Sequence, residues 1–318
     1  MTYKDRQKEI QKSYFKNHKL GGKYRNREYD FILKNSEDNF VDTSCFEKVS
    51  AYFKENNISW WGGKNPTTHT LSSQIACINH LFPIRKDRDA VLALAHSVDP
   101  DFDDVEIISN DNFEKGYISF EVVSSKDYLN EIKGKNKIPH RGNQCTSIDA
   151  VILAKKQEKR VLLVIEWKYV ELYGNEDKSK SPKGKRSGET RLNRYQDLIE
   201  KSKQLKSVDN CRGSVYFHEP FYQLMRQTLW AEQMVDPENV DAIRADDYIH
   251  VHVVPMGNNE LLHKRYPCSK GKDMLTTWKS QLKDPKKYVL IDPAEFFSKL
   301  SCEKWKDLIC YLKARYWQ

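Results

Sequence analysis

Charged side chains interrupt two apolar runs in this sequence, and their types and spacing suit one kind of chemistry. Asp149 stands inside Ile148-Asp149-Ala150-Val151-Ile152, and Glu166 and Lys168 close the run from Val161 to Ile165. Residues two apart on a strand share a face, so Glu166 and Lys168 point together and Trp167 points the other way, into packing. The polar stretch Ala154 to Arg160 joins the two runs as a hairpin turn. Asp149 then comes beside Glu166, and two carboxylates and an ammonium converge at the edge of a buried sheet. Mg²⁺ takes oxygen ligands, keeps several waters, and is commonly held by one or two carboxylates plus a substrate phosphate. A neighbouring Lys can orient or deprotonate a metal-bound water, or neutralise charge developing on the phosphate. The set therefore suits phosphodiester hydrolysis. Glu-X-Lys alone is an ordinary solvated strand end. The Asp within an apolar strand, costly to bury unpaired, is what gives the pattern chemical meaning.

Several elements must position this set. Tyr117 to Val123, Ser147 to Leu153 and Val161 to Lys168 read as strands. Upstream, Leu71, Ile75, Ile78 and Phe82 recur at helical spacing until Pro83, and a short helix is expected from Asp87 to His96. Helices are expected over 190–206 and 219–234, then strands over Tyr248 to Pro255 and Lys287 to Pro293. A final helix carries Trp305, Leu308, Ile309 and Leu312 as its apolar stripe. Hairpin strands followed by helix-linked strands imply an α/β fold, a mixed central sheet with helices on both faces. Residues 1–65 read as a helical N-terminal extension: a basic helix from Lys4 to Lys19, packed weakly, and a second from Ser44 to about Asn56, before a break at Trp60-Trp61-Gly62-Gly63. The main domain is expected over 66–318.

Composition narrows the function classes. The 318 residues carry 53 Lys+Arg against 45 Asp+Glu, a formal net charge of +8, which permits a polyanionic partner. No apolar run approaches a membrane span, and the charged N-terminus has no apolar leader region. The 7 cysteines include no pair at CxxC spacing, so a reducing cytoplasm is the expected setting. Gly62-Gly63-Lys64-Asn65 lacks the spacing of a nucleotide-binding loop, and no GxSxG is present. His250 and His252 share a strand face but have no further His or Cys at suitable spacing, so packing is expected of them. Tyr222, Gln223, Arg226, Gln227 and Trp230 share a helix whose polar members could line a groove.

Ser147-Ile148-Asp149 and Glu166-Trp167-Lys168, with the order of elements over roughly 66–255, resemble the PD-(D/E)XK nuclease superfamily and its restriction-endonuclease-like fold. His69 to Phe82 and Glu166-Trp167-Lys168-Tyr169-Val170-Glu171-Leu172-Tyr173 look like an uncharacterised bacterial branch. The resemblance implies a three-layer core and a nuclease domain over 66–318. It implies Asp149 and Glu166 as Mg²⁺ ligands, with Mn²⁺ able to substitute, and Lys168 as the water-positioning base. The backbone carbonyl of Trp167 is a further metal contact on this reading. Ile148 stands where the superfamily's name has Pro. Many members add an acid from the first core helix, where this chain has Gln74; Glu121 on the preceding strand is another candidate. Gln196, beside Tyr195, stands where members carry a Gln that faces the site. The basic loop Lys178, Lys180, Lys183, Lys185, Arg186 and Arg191 starts beside the Glu-X-Lys strand and is expected to follow a nucleic-acid backbone. The expected activity is Mg²⁺-dependent nuclease cleavage, most readily of DNA; the alternative is an inactive nucleic-acid-binding module of the same fold. Cutting both strands of a duplex would favour a homodimer.

Overall fold

A computed structural model describes every residue except Lys19, Gly62 and residues 133–137. The expected end of the first helix at Lys19, and Gly62 of the Trp60–Gly63 break, lie outside the described residues. The chain begins with α1 (Tyr3–Tyr14), a hairpin of β1 (Leu20–Tyr24) and β2 (Arg27–Leu33), and α2 (Thr43–Glu55). The helices α3 (Ser73–Leu81) and α4 (Arg88–Val98) precede β3 (Asp104–Glu106), β4 (Ile118–Val122), β5 (Ile148–Lys156) and β6 (Lys159–Trp167). Then come α5 (Ser187–Lys201), α6 (Phe221–Met234), β7 (Asp247–Val253), α7 (Asn259–Leu262), α8 (Met274–Ser280), β8 (Tyr288–Ile291), α9 (Pro293–Phe296) and α10 (Lys306–Arg315).

The central sheet has the order β3-β5-β6-β7-β8, with β4 also paired to β5. β5 and β6 are antiparallel, whereas β6–β7 and β7–β8 are parallel, so the sheet is mixed. Parallel neighbours need long crossovers, and α5 with α6 supplies the first of them. Alternation along the strands builds two cores. Ala150, Ile152, Leu163, Ile165 and Trp167 join residues of α2, α3, α4 and α10. Val151, Leu153, Leu162 and Val164 join residues of α5, α6 and α8. The result is the three-layer arrangement expected for a restriction-endonuclease-like fold, with helices on both sheet faces.

The β5–β6 hairpin is tighter than the polar stretch suggests. Pairing runs out to Lys156 opposite Lys159, leaving a two-residue turn in which Gln157 adopts φ 56°. The charged residues Lys155, Lys156 and Arg160 are still strand, paired beyond the edge of the core. The N-terminal segment also differs from its reading as helix alone. It contains the β1–β2 hairpin, whose tip Arg25-Asn26 takes φ values of 50° and 64°. Such a turn is usually marked by Asn-Gly or Asp-Gly, and Arg-Asn carries no such mark. Nor is α1 weakly packed. Gln7 and Gln11 are fully buried; the Tyr169 hydroxyl donates to Gln7 Oε1 at 2.8 Å and receives from Gln11 Nε2 at 3.0 Å. Gln11 also bonds Arg315 on α10. The buried face of α1 is polar, so apolar periodicity could not reveal it.

Two buried acids pin the elements around the sheet end where Asp149 and Glu166 lie. Asp111 accepts from Tyr52 of α2, Ser119 of β4, Arg85 and Arg141. Glu131 accepts from the Tyr195 hydroxyl at 2.6 Å, Arg226 Nε at 3.0 Å and the Thr146 hydroxyl at 2.7 Å. It thereby ties α5 and α6 to the segment that starts β5. Burial alone would raise the Glu131 carboxyl, but Arg226, Tyr195 and Thr146 outweigh it and hold the carboxyl below its usual range. A carboxylate lowered in the folded state stabilises above its unfolded value, about 4.3 for Glu, and loses that contribution as pH falls through the folded value. Glu131→Ala is therefore expected to cost about 3–5 kcal/mol at pH 7, as removal of one partner from a buried ion pair does. The deficit should narrow in acid, and urea unfolding at several pH values measures both effects.

Candidate functional site

Glu166 and Lys168 sit where β6 runs out of the core. Glu166 has no solvent exposure and Lys168 has 6%. Lys168 Nζ forms an ion pair with one oxygen of Glu166 and donates to Gln223 Oε1 at 2.7 Å. Gln227 Nε2 donates to the other Glu166 oxygen, while Gln227 Oε1 meets His250 Nε2 at 3.0 Å. Gln223 and Gln227 lie four apart on α6, so one helix face delivers both amides. Burial opposes the charge on Lys168, but the carboxylates led by Glu166 prevail and push its pKa well above the ordinary value. Burial drives His250 down to about 3 and His252 well below its usual value, so both imidazoles are neutral. His252 Nδ1 lies 2.7 Å from the Tyr288 hydroxyl. The two histidines thus pack and hydrogen-bond behind Glu166, as their spacing suggested.

The sheet register sets three carboxylates in one row. Phe120 pairs with Ala150 and Val122 with Ile148, so Glu121 lies across from Asp149. Ala150 pairs with Ile165, so Asp149 and Glu166 occupy the next position on β5 and β6. Glu166 is in turn the partner of His252 on β7. Like charges on neighbouring strands repel. Burial, then Glu166 and Glu121, raise the Asp149 pKa well above its usual value. Burial likewise raises Glu121, against the hydrogen bonds from Gln74 and Ser147 and with a further push from Glu166. Asp149 Oδ2 accepts the Trp167 backbone N–H at 2.8 Å. Glu121 accepts from Gln74 Nε2 at 2.6 Å and from the Ser147 hydroxyl at 2.8 Å. Glu121 also holds φ 48°, a left-handed backbone conformation rare for a non-glycine residue and seldom found within a strand.

These groups open onto a cleft of about 910 Å³, lined by Gln74, Glu121, Asp149, Lys168, Gln223 and Arg226 among others. Glu166 lies behind Lys168 and does not line it. Among the described residues, no three of His, Cys, Asp and Glu form a ready-made ligand set for a metal ion. The residues present nevertheless fit Mg²⁺. Two cleft carboxylates, Asp149 and Glu121, carry mutual repulsion that a divalent cation relieves, and an all-oxygen set with room for water and phosphate is what that ion takes.

The structure brings Asp149, Glu166, Lys168, Trp167, Glu121 and Gln74 together. It does not bring Gln196 to them. Gln196 is exposed on α5 while Tyr195 is buried against Glu131. The helix turns Gln196 outward because Leu192, Tyr195 and Ile199 form its buried face. The glutamines that reach Glu166 and Lys168 come from α6. Their i, i+4 spacing was visible as a possible groove, but nothing in the sequence connected that helix with β6. The basic loop is more tied down than its composition suggests. Lys178 pairs with Glu176 at 2.8 Å, Lys180 lies 3.7 Å from Asp177, and Arg191 donates to the Lys178 carbonyl at 3.0 Å. Lys183, Lys185 and Arg186 are exposed at its tip. None of the six lines the cleft.

No curated protein and no solved structure matches the chain. Residues 8–317 match the protein family described as restriction endonuclease associating with ARP. That match includes both sheet neighbours of Asp149, the α6 glutamines, and Gln11 and Tyr316, which meet Tyr169. With a mixed sheet flanked by helices and a row of acids opening on a cleft, the chain belongs to this restriction-endonuclease family.

Proposed function

We propose that this protein is a Mg²⁺-dependent nuclease of the PD-(D/E)XK type that hydrolyses phosphodiester bonds in DNA. The observation that carries this reading is the row Glu121, Asp149 and Glu166 at one end of the sheet, with Glu121, Asp149 and Lys168 lining one cleft. Asp149 and Glu121 would hold the ion, with Glu166 and the Trp167 carbonyl as nearby oxygens. Mn²⁺ would substitute in the same oxygen set. The bound ion supplies a Lewis acid and a water of lowered pKa. Lys168 contributes as a donor. Its partners Glu166 and Gln223 are both acceptors, and its ammonium would position the water and offset charge on the phosphate. Gln223 and Gln227 hold Lys168 and Glu166 in place. Seven free cysteines suit a reducing cytoplasm, and no helix among the described residues is long and apolar enough to cross a membrane. Double-strand cutting would favour two copies acting together, as a homodimer.

The enclosure of Glu166 by Lys168 and Gln227 favours a second reading, a binding module of the same fold without chemistry. Incubation of single-stranded DNA, duplex DNA and RNA with Mg²⁺, Mn²⁺ or EDTA separates the two. Metal-dependent cleavage supports the nuclease; binding without cleavage supports the module.

Asp149→Asn is expected to abolish cleavage and leave the metal-free protein folded. A carboxyl raised in the folded state costs stability once it ionises, so the cost appears as pH rises above the unfolded value of about 3.9. The variant should therefore melt a few degrees higher than wild type near neutral pH, roughly 2 °C or more. That gain should vanish in acid, where wild-type Asp149 is protonated. A variant that melts lower at pH 7 would make Asp149 a structural partner.

Lys168→Ala is expected to slow single-turnover cleavage by about 10²–10³-fold, with DNA affinity nearly unchanged. An equal loss of affinity would make Lys168 a phosphate clamp only.

The loop tip is testable through salt. Neutralising Lys183, Lys185 and Arg186 together should lower the slope of log affinity against log salt by up to about 2–3. Sequence preference should stay the same, because phosphate contacts carry no base information. An unchanged slope would leave the loop as a solvated connector.

A further inference from the structure

The β1–β2 hairpin and the segment after Trp60 form a second surface that the site chemistry does not use. Trp61 is 53% exposed, a large apolar side chain left in water. Its ring lies nearly parallel to that of Tyr24, at 17° and 6.4 Å between centroids. The Arg25 guanidinium sits 5.4 Å over the Tyr24 ring. Lys23, Arg25 and Lys64 surround the pair, and none of them has an acidic partner within ion-pair distance among the described residues. Both rings also line the cleft that holds Asp149 and Lys168.

The surface is joined to the acidic row by hydrogen bonds. The Trp61 backbone N–H donates to Gln74 Oε1 at 3.0 Å, and Gln74 Nε2 donates to Glu121 Oε1 at 2.6 Å. One amide therefore fixes the aromatic segment on one side and a cleft carboxylate on the other.

We propose that Tyr24 and Trp61 form a stacking platform for an unpaired DNA strand, feeding it into the cleft at Asp149. The proposal rests on the nuclease reading and names its substrate class. Every base has a π-face that stacks on an aromatic ring, and cationic side chains beside the rings meet the phosphates. Bases within a duplex are already stacked on each other, so the platform selects single-stranded or frayed DNA. Arg25 adds a cation beside the Tyr24 ring.

The test is fluorescence anisotropy of the intact protein in EDTA, which keeps DNA uncut. Three labelled probes are compared: a single-stranded oligonucleotide, the same length with a run of abasic sites, and a blunt duplex. The wild type should bind the single strand tightest. Trp61→Ala should weaken that binding by about 5- to 100-fold and leave the abasic and duplex probes nearly unchanged, and Trp61→Phe should restore most of the loss. Equal single-strand affinity in wild type and Trp61→Ala, or a wild type that binds the abasic probe as well as the intact strand, overturns the platform. Cleavage assayed separately with Mg²⁺ keeps the two readings apart. Trp61-dependent binding without any cleavage upholds the platform and sinks the nuclease. Cleavage that persists with no Trp61-dependent binding does the reverse.

Discussion

A carboxylate with no access to water stays ionised only if the protein itself supplies its partners. Glu166 imposes that requirement on everything near the end of β6. One oxygen takes the Lys168 ammonium and the other takes the Gln227 amide. Those two partners need support in turn, from Gln223 and from His250. The amides come from one face of α6, which fixes how that helix must cross the sheet. The imidazole comes from β7, where His250 and His252 interrupt Ile249, Val251 and Val253. A fully buried ion pair of this kind contributes little net stability compared with apolar packing. Its persistence on a sheet that could have been filled with Val and Ile marks the place where the fold gives up stability to hold charge.

The same end of the sheet keeps Asp149 and Glu121 beside Glu166, against their mutual repulsion. Rigid supports make that arrangement sustainable. Asp111 holds β4 through Ser119 and holds the segment before β5 through Arg141. Glu131 holds the last residue before Ser147. Each of these acids is neutralised by arginine and by hydroxyl donors, so the structural carboxylates are satisfied while those facing the cleft are left partly uncompensated. That asymmetry separates acids that build the fold from acids available for chemistry.

Much of this was legible in the sequence where a strong period or an odd residue carried the signal. The apolar run Val161 to Ile165 announced a strand buried on both faces, and Asp149 within its own apolar run was conspicuous because burial there is costly. The helices that bury apolar stripes, α3, α6 and α10, were found for the same reason. What stayed hidden obeys different physics. The buried face of α1 is Tyr3, Gln7 and Gln11, and the hydrogen bonds of the two glutamines leave no apolar period to read. The β1–β2 hairpin turns on Arg-Asn, without a glycine. The three residues of β3 are too few to show alternation. The glutamines of α6 act on β6 across more than fifty residues, and a single sequence offers no measure of that proximity. Gln196 was misplaced by analogy of position, because the turn of α5 is set by Leu192, Tyr195 and Ile199 and leaves it in water.

The clasp behind β6 also carries a meaning for synthesis. Tyr169 follows Lys168 directly, and its hydroxyl is held by α1, which is locked by Arg315, 304 residues away from Gln11 along the chain. Contacts of such long sequence separation form late, because the intervening loop must close first. A ribosome emits the chain from its N-terminus, so α1 waits with an unmatched polar face until α10 emerges. The strand end that bears Glu166 and Lys168 gains its full backing only then. A growing or truncated chain lacks the brace on Tyr169, and that strand end is fully backed only when α10 has docked.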